Sequence, residues 1–192
     1  MKHKIRTNIF LVIVVTLLSA SGAIAGDKGK HKIKDKNKGK NIVVVLAGTG
    51  EGYDGFDQFA QFELDQLGAT CFDMNMFDAK TGKVIGRGSD CLSNLTPSAT
   101  DDGMKVTATT FFYFPGGTLV SQGLVTVQPV LHGSPEFTHI TGAVPSPSDN
   151  NVIYGDRKFK KAAGSVRLSG AVNLSRFSEG LIFFDCVFVI DI

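Results

Sequence analysis

Asp73, Arg87, Tyr113 and His139 are the side chains best suited to steer a proton or steady a developing charge. Each falls in a run of residues that alternates apolar and polar. Alternation places Asp73 with Asn75 on one face of its run, and Thr107, Thr109 and Tyr113 together on one face of another, while Arg87 lies just before Ser89. A cavity that handles an apolar substrate needs only a few such groups among greasy walls. These four are therefore the candidate cavity residues. The competing reading places them on the outer, solvated face or at a rim, and strand register decides between the two.

The three cysteines divide into a pair and a singleton. Cys71 and Cys91 flank the turn Asp78-Ala79-Lys80-Thr81-Gly82, each ten residues from Thr81, so pairing about that centre sets them opposite one another as a disulfide. Cys186 lies in LIFFDCVFVI on the face of Phe184, Phe188 and Ile190, the setting of a buried free thiol. A catalytic Cys186–His139 pair is the sharper alternative, but a thiol among large apolar side chains is usually inert. No metal site is expected: there is no CxxC, and His132 and His139 have no partner at ligand spacing. No cofactor is expected either. Gly48-Thr49-Gly50-Glu51-Gly52 after the apolar run Ile42–Leu46, with an amphipathic stretch from Phe56 to Leu67, outlines a dinucleotide-binding turn. Its third glycine comes one place early, however, and Tyr53 stands where a packing glycine belongs.

The elements that must carry these residues are strands. From Gly68 the hydrophobic period is two. Runs 69–77 and 83–92 make one hairpin, and 104–114 and 118–128 make a second about Pro115-Gly116-Gly117. Runs at 137–144, 152–154, 165–174 and 181–190 follow. With Ile42–Leu46 that is about nine candidates. The natural assembly is an all-β fold, an eight-stranded antiparallel barrel with one short or irregular segment. The last run is apolar on both sides: Phe183, Val187 and Val189 oppose Phe184, Phe188 and Ile190. Its outer side therefore needs cover, from a second subunit or from the 50–67 segment folding back.

The chain opens with a basic stretch (Lys2, Lys4, Arg6), the apolar run IFLVIVVTLL and the small-x-small site Ala23-Ile24-Ala25, which together spell a cleavable export signal over residues 1–25. The expected location is secreted or periplasmic. Residues 26–41 form a lysine-rich arm expected to be disordered, with seven lysines against Asp27 and Asp35. Leader and arm hold 10 of the 20 Lys and Arg but 2 of the 18 Asp and Glu. The barrel domain, 42–192, is left at about −6. The arm reads either as a solvated spacer or as a weak contact to an anionic surface. With no aromatic residue among its lysines, base-stacking recognition of nucleic acid has no support. Lys158, Lys160 and Lys161 around Phe159 read as a solvated loop face.

Gly82-Lys83-Val84-Ile85-Gly86-Arg87, Gly117-Thr118-Leu119-Val120-Ser121-Gln122-Gly123, Ile140-Thr141-Gly142 and Ala162-Ala163-Gly164-Ser165-Val166 occur in an order that resembles the allene oxide cyclase/dirigent barrel superfamily. The resemblance spans about Gly68 to Ile192. It departs where the family's Thr-Gly-Gly-Thr-Gly turn gives way to Thr141-Gly142-Ala143-Val144 and an insertion ending at Tyr154-Gly155, and no catalytic residue carries across. It implies a barrel with an apolar cavity, often trimeric through its outer wall. Two functions follow as expectations. The leading one is a cyclase- or isomerase-like activity on a small hydrophobic metabolite; the alternative is a non-catalytic binding or scaffold barrel for a lipid-like ligand.

Overall fold

The computed structural model describes residues 39–54, 60–62, 68–97, 103–128, 137–142 and 150–192. The expected export signal and nearly all of the arm lie outside them. Among the described residues nine strands form: β1 (Asn41–Asp54), β2 (Thr70–Asp78), β3 (Val84–Pro97), β4 (Met104–Phe114), β5 (Gly117–Val127), β6 (Thr138–Gly142), β7 (Val152–Gly155), β8 (Ser165–Asn173) and β9 (Leu181–Asp191). Every pairing is antiparallel. The ring runs β1-β2-β3-β4-β5-β6-β8-β9 and closes as β9 pairs with β1. This is the expected eight-stranded antiparallel barrel, with β7 as one short extra strand. Closure leaves no long bare edge, which suits a chain whose strands are this apolar.

One expectation is overturned. The glycines after Leu46 make no turn: β1 runs straight through them, paired residue for residue with β9 from Asn41↔Asp191 to Glu51↔Leu181. On its other edge the register with β2 shifts between Ala47 and Gly52. There the glycines let two backbones come close, since a Cβ on Gly50 would stand 2.9 Å from the Phe72 Cβ. The motif is a strand bulge, so no dinucleotide-binding unit forms. Of the amphipathic stretch 56–67, Ala60–Phe62 is described, as a single 3₁₀ turn.

The stave between β5 and β8 is built in two pieces. β6 pairs with β5 at Val125–Val127, while β7 continues along the same edge at Leu119–Ser121. β6 also pairs with β8. Beside β7 the side chain of Asn151 does that work, donating from Nδ2 to the Val166 carbonyl (2.8 Å) and accepting from the Val166 N–H (2.7 Å). An amide side chain thus stands in for a strand's backbone.

Alternating residues of all eight staves fill the interior around Phe72, Phe112, Phe184 and Phe188, which are essentially fully buried. Phe112 meets Phe188 edge to face at 5.2 Å, a favourable aromatic geometry. On β9, Phe184, Cys186, Phe188 and Ile190 point inward as expected. Gly170 makes room for the thiol, because a Cβ there would lie 2.6 Å from Cys186 Sγ. On the outer side Phe183 and Val187 are 38% and 41% exposed. The segment after β1 does not cover them among the described residues. Phe62 packs instead on Phe111 (5.2 Å) and Tyr154 (5.8 Å), over the opposite wall.

Candidate functional site

The register of β2, β3 and β4 fixes where each candidate residue points. Three rows cross the strands: Cys71–Cys91–Thr109, Asp73–Ser89–Phe111 and Asn75–Arg87–Tyr113. All lie on the face opposite the core residues Phe72, Met74 and Phe112. The first row carries the disulfide between Cys71 and Cys91, as the symmetric pairing about Thr81 predicts. The disulfide is buried on the outer wall among Ala69, Phe111 and Val120.

Asp73, Arg87 and Tyr113 are brought together, but outside the barrel. Asp73 Oδ1 accepts from Tyr53 Oη (2.8 Å) and Ser89 Oγ (2.6 Å), and Asp73 Oδ2 faces an Arg87 guanidinium nitrogen at 3.1 Å. Ser89 Oγ and the Tyr113 hydroxyl stand 3.5 Å apart. Burial, followed by the bond to the Asp73 carboxylate, pushes Tyr53 up to about 12, and burial raises Tyr113 as well. Tyr53 is thus a neutral donor to the Asp73 carboxylate, while the Tyr113 hydroxyl meets Ser89 alone among the described residues. His139 is not part of this group. It lies on the outer face of β6, with Nε2 3.1 Å from Ser169 Oγ. None of the four lines the interior, because each shares the parity of the outer row. Cys186 faces inward and His139 outward, so they form no catalytic pair. Burial, aided by nearby Asp90 and Asp185, holds the thiol well above its ordinary value and therefore protonated.

The interior has a polar residue that alternation alone did not single out. Asp90, between Ser89 and Cys91, faces inward opposite Phe72 and Thr110 and is 2% exposed. Its hydrogen bond comes from Thr110 Oγ1 at 2.7 Å. Desolvation raises its carboxyl to about 6, partly offset by that bond. Beyond this pair, from Leu92 on β3 and Val106 on β4 onward, an apolar cavity of about 180 Å³ occupies the end of the barrel. Leu92, Met104, Val106, Val127, Ile140, Val172, Phe177, Ile182 and Phe184 line it, with Leu95 and Leu174. Thr138, paired with Val172 across β6 and β8, buries its hydroxyl with no hydrogen-bond partner among the described residues. Such an orphaned hydroxyl is uncommon in a folded interior. Sequence reasoning missed this site because Leu, Val and Ile are ordinary core residues until a gap is left between them. The signal for Asp90 was present: its parity is that of Leu92 and opposite to that of Cys91.

No group of three or more His, Cys, Asp or Glu among the described residues is placed to hold a metal ion. Compared with protein-family models and with curated proteins, the chain matches none.

Proposed function

We propose that this chain is a binding barrel that takes a small apolar molecule into the cavity at the β3–β4–β9 end. The observation that carries this reading is the lining: every described residue around the cavity is apolar. A void of about 180 Å³ is comparable to one that stays dry and accepts a one-ring hydrocarbon. The eight-stranded antiparallel ring supports the resemblance to allene oxide cyclase/dirigent barrels, and the disulfide suits an oxidising compartment outside the cytosol. The exposed Val43, Phe183 and Val187 suit a contact between copies of the chain. A Val187→Glu variant that sediments like the wild type would remove that contact.

The test uses p-xylene as probe, titrated by calorimetry into wild type and into Val106→Trp, which fills the cavity. Binding that is lost in the variant, with the circular dichroism unchanged, supports the reading. Absence of binding by the wild type overturns it. A second reading, cyclase- or isomerase-like catalysis, is favoured by Asp90 alone. Its carboxyl, raised by burial to about 6, lies two residues from the cavity-lining Leu92 on the inward face of β3, and an acid of that kind serves proton transfer near neutral pH. Native mass spectrometry of protein from its own source separates the two, since a resident ligand is either released unchanged or converted on incubation.

A further inference from the structure

The inner face of the barrel carries a polar row. Asp90 on β3 pairs with Thr110 on β4, and Thr110 pairs with Ser121 on β5, all three buried and facing inward. Ser121 in turn stands beside Val152 of β7. The row therefore runs from the acid to the place where the stave between β5 and β8 changes from one piece to the other. Neither β6 nor β7 pairs with Gly123 or Leu124 of β5. At this seam lies a second void, of about 20 Å³, room for about one water. It exists because two inward positions, Gly123 and Gly142, carry no side chain. A Cβ on Gly123 would stand 3.2 Å from Asn151 Nδ2, and one on Gly142 would stand 3.2 Å from Leu168 Cγ. Thr110, Ser121 and Asn151 line the void, with Phe188 from the core and with Leu124, half of which is exposed on the outer face. The void thus crosses the wall. No hydrogen bond ties the buried Ser121 hydroxyl to another described residue.

We propose that this void is a water site and that its water, held by Ser121 and Asn151, links Asp90 to solvent through Thr110, so that the acid regains its proton across the wall while the apolar cavity stays dry. The water has a partner in Ser121 Oγ, a second in a lone pair of Thr110 Oγ1, and a third in the Nδ2 hydrogen that Asn151 does not give to the Val166 carbonyl. That is the usual complement of a buried water. An excess proton arriving on the water passes to Thr110 Oγ1 as that hydroxyl gives its own hydrogen to Asp90 Oδ1, 2.7 Å away. The carboxylate is neutralised, and water and threonine end as they began. The groups facing Asp90 from other strands do not compete: Phe72 on β2 is apolar, and burial keeps the Cys186 thiol on β9 protonated. The catalytic use of this route rests on the cyclase- or isomerase-like reading, in which Asp90 must recover each proton it gives; the route itself is read without any ligand.

The experiment follows the carboxyl carbon of Asp90 by NMR in the full-length chain, isotope-labelled at aspartate and assigned by its loss in Asp90→Asn. Across about pH 4 to 8 the wild type should give one resonance that moves with pH, because the proton exchanges quickly. Gly123→Ala fills the void without touching a polar group, and Ser121→Ala removes a holder of the water. Each should slow the exchange about tenfold or more, seen as broadening or splitting of the resonance near its midpoint. A packing role would instead move the midpoint and leave the exchange fast. Val106→Trp, which fills the apolar cavity, should leave the exchange unchanged. Exchange as fast as the wild type's in both void variants overturns the proposal. So does slowing by Val106→Trp in their place, or a wild-type resonance that is already split or never titrates. Slowed exchange in the void variants without p-xylene binding by the wild type would sink the cavity reading and leave the water route standing.

Discussion

Asp73 and Asp90 sit on neighbouring strands of one wall and face opposite ways. Outside, Asp73 is met by Tyr53, Ser89 and Arg87, and about two fifths of its side chain still reaches water. Inside, Asp90 has Thr110 and a shell of apolar rings. The same carboxyl group is thus a well-served anchor on one side of the sheet and a costly, proton-holding acid on the other. The difference teaches that burial and partner count set the chemistry of a side chain far more than its type does. The outer carboxylate has three partners and water, whereas the inner one carries a desolvation cost that a single hydrogen bond offsets in part.

Four measurements would break or sharpen this contrast. Substituting Cys71 and Cys91 together by serine removes the brace of the outer wall. The loop they close spans a separation of 20 residues, and its release should cost about 3 kcal/mol in urea denaturation. A loss under about 1 kcal/mol would mean that strand pairing alone holds the hairpin. Thr110→Val takes away the donor to Asp90 and should cost about 2 kcal/mol at pH 8, where the carboxyl is ionised. The loss should shrink near pH 4. An equal loss at both pH values would show that Asp90 never ionises in the fold.

Asp90→Asn tests the same pair through its pH dependence. Folding raises this carboxyl from 3.8 to about 6, so the folded protein holds the proton more tightly than the unfolded chain does. The associated stability is fully present below about pH 4, falls as pH rises to about 6 and stays lost above it. Relative to the asparagine variant, the wild type should lose about 2–3 kcal/mol across that window. Parallel curves for the two proteins would refute the raised value. The smallest effect belongs to Arg87→Ala, which removes the half-exposed ion pair to Asp73 and leaves its Tyr53 and Ser89 bonds in place, and should cost under about 1 kcal/mol, less at high salt. A larger, salt-independent loss would mark the outer cluster as more than surface bonding.

Much of this barrel was legible in the residues themselves. Period-two alternation located the strands from Thr70 onward to within a few residues, because each has one face against the core. The Thr81 centre placed Cys71 opposite Cys91 because a hairpin's register follows from its turn. The region after Leu46 misled because Gly50 and Gly52 read as a turn, whereas they thin the backbone beneath Phe72 and Thr70. The candidate site was legible as a grouping and illegible as a location. Parity shows that Asp73, Arg87 and Tyr113 share a face. Which side of a closed sheet that face is depends on contacts with Phe62, Val120 and Tyr154, far away in the chain. The cavity itself has no sequence signature, since an absence of atoms leaves none.

The Asn151 amide has a consequence for how this architecture can change. Because β6 and β7 grip β5 independently, and a side chain splices the second piece to β8, the stave is segmented rather than continuous. The connection between Gly142 and Asn150 can then vary in length or composition without disturbing the hoop of paired strands. That makes it a natural cassette for grafting a new recognition loop, or for inserting a reporter, with the barrel serving as chassis.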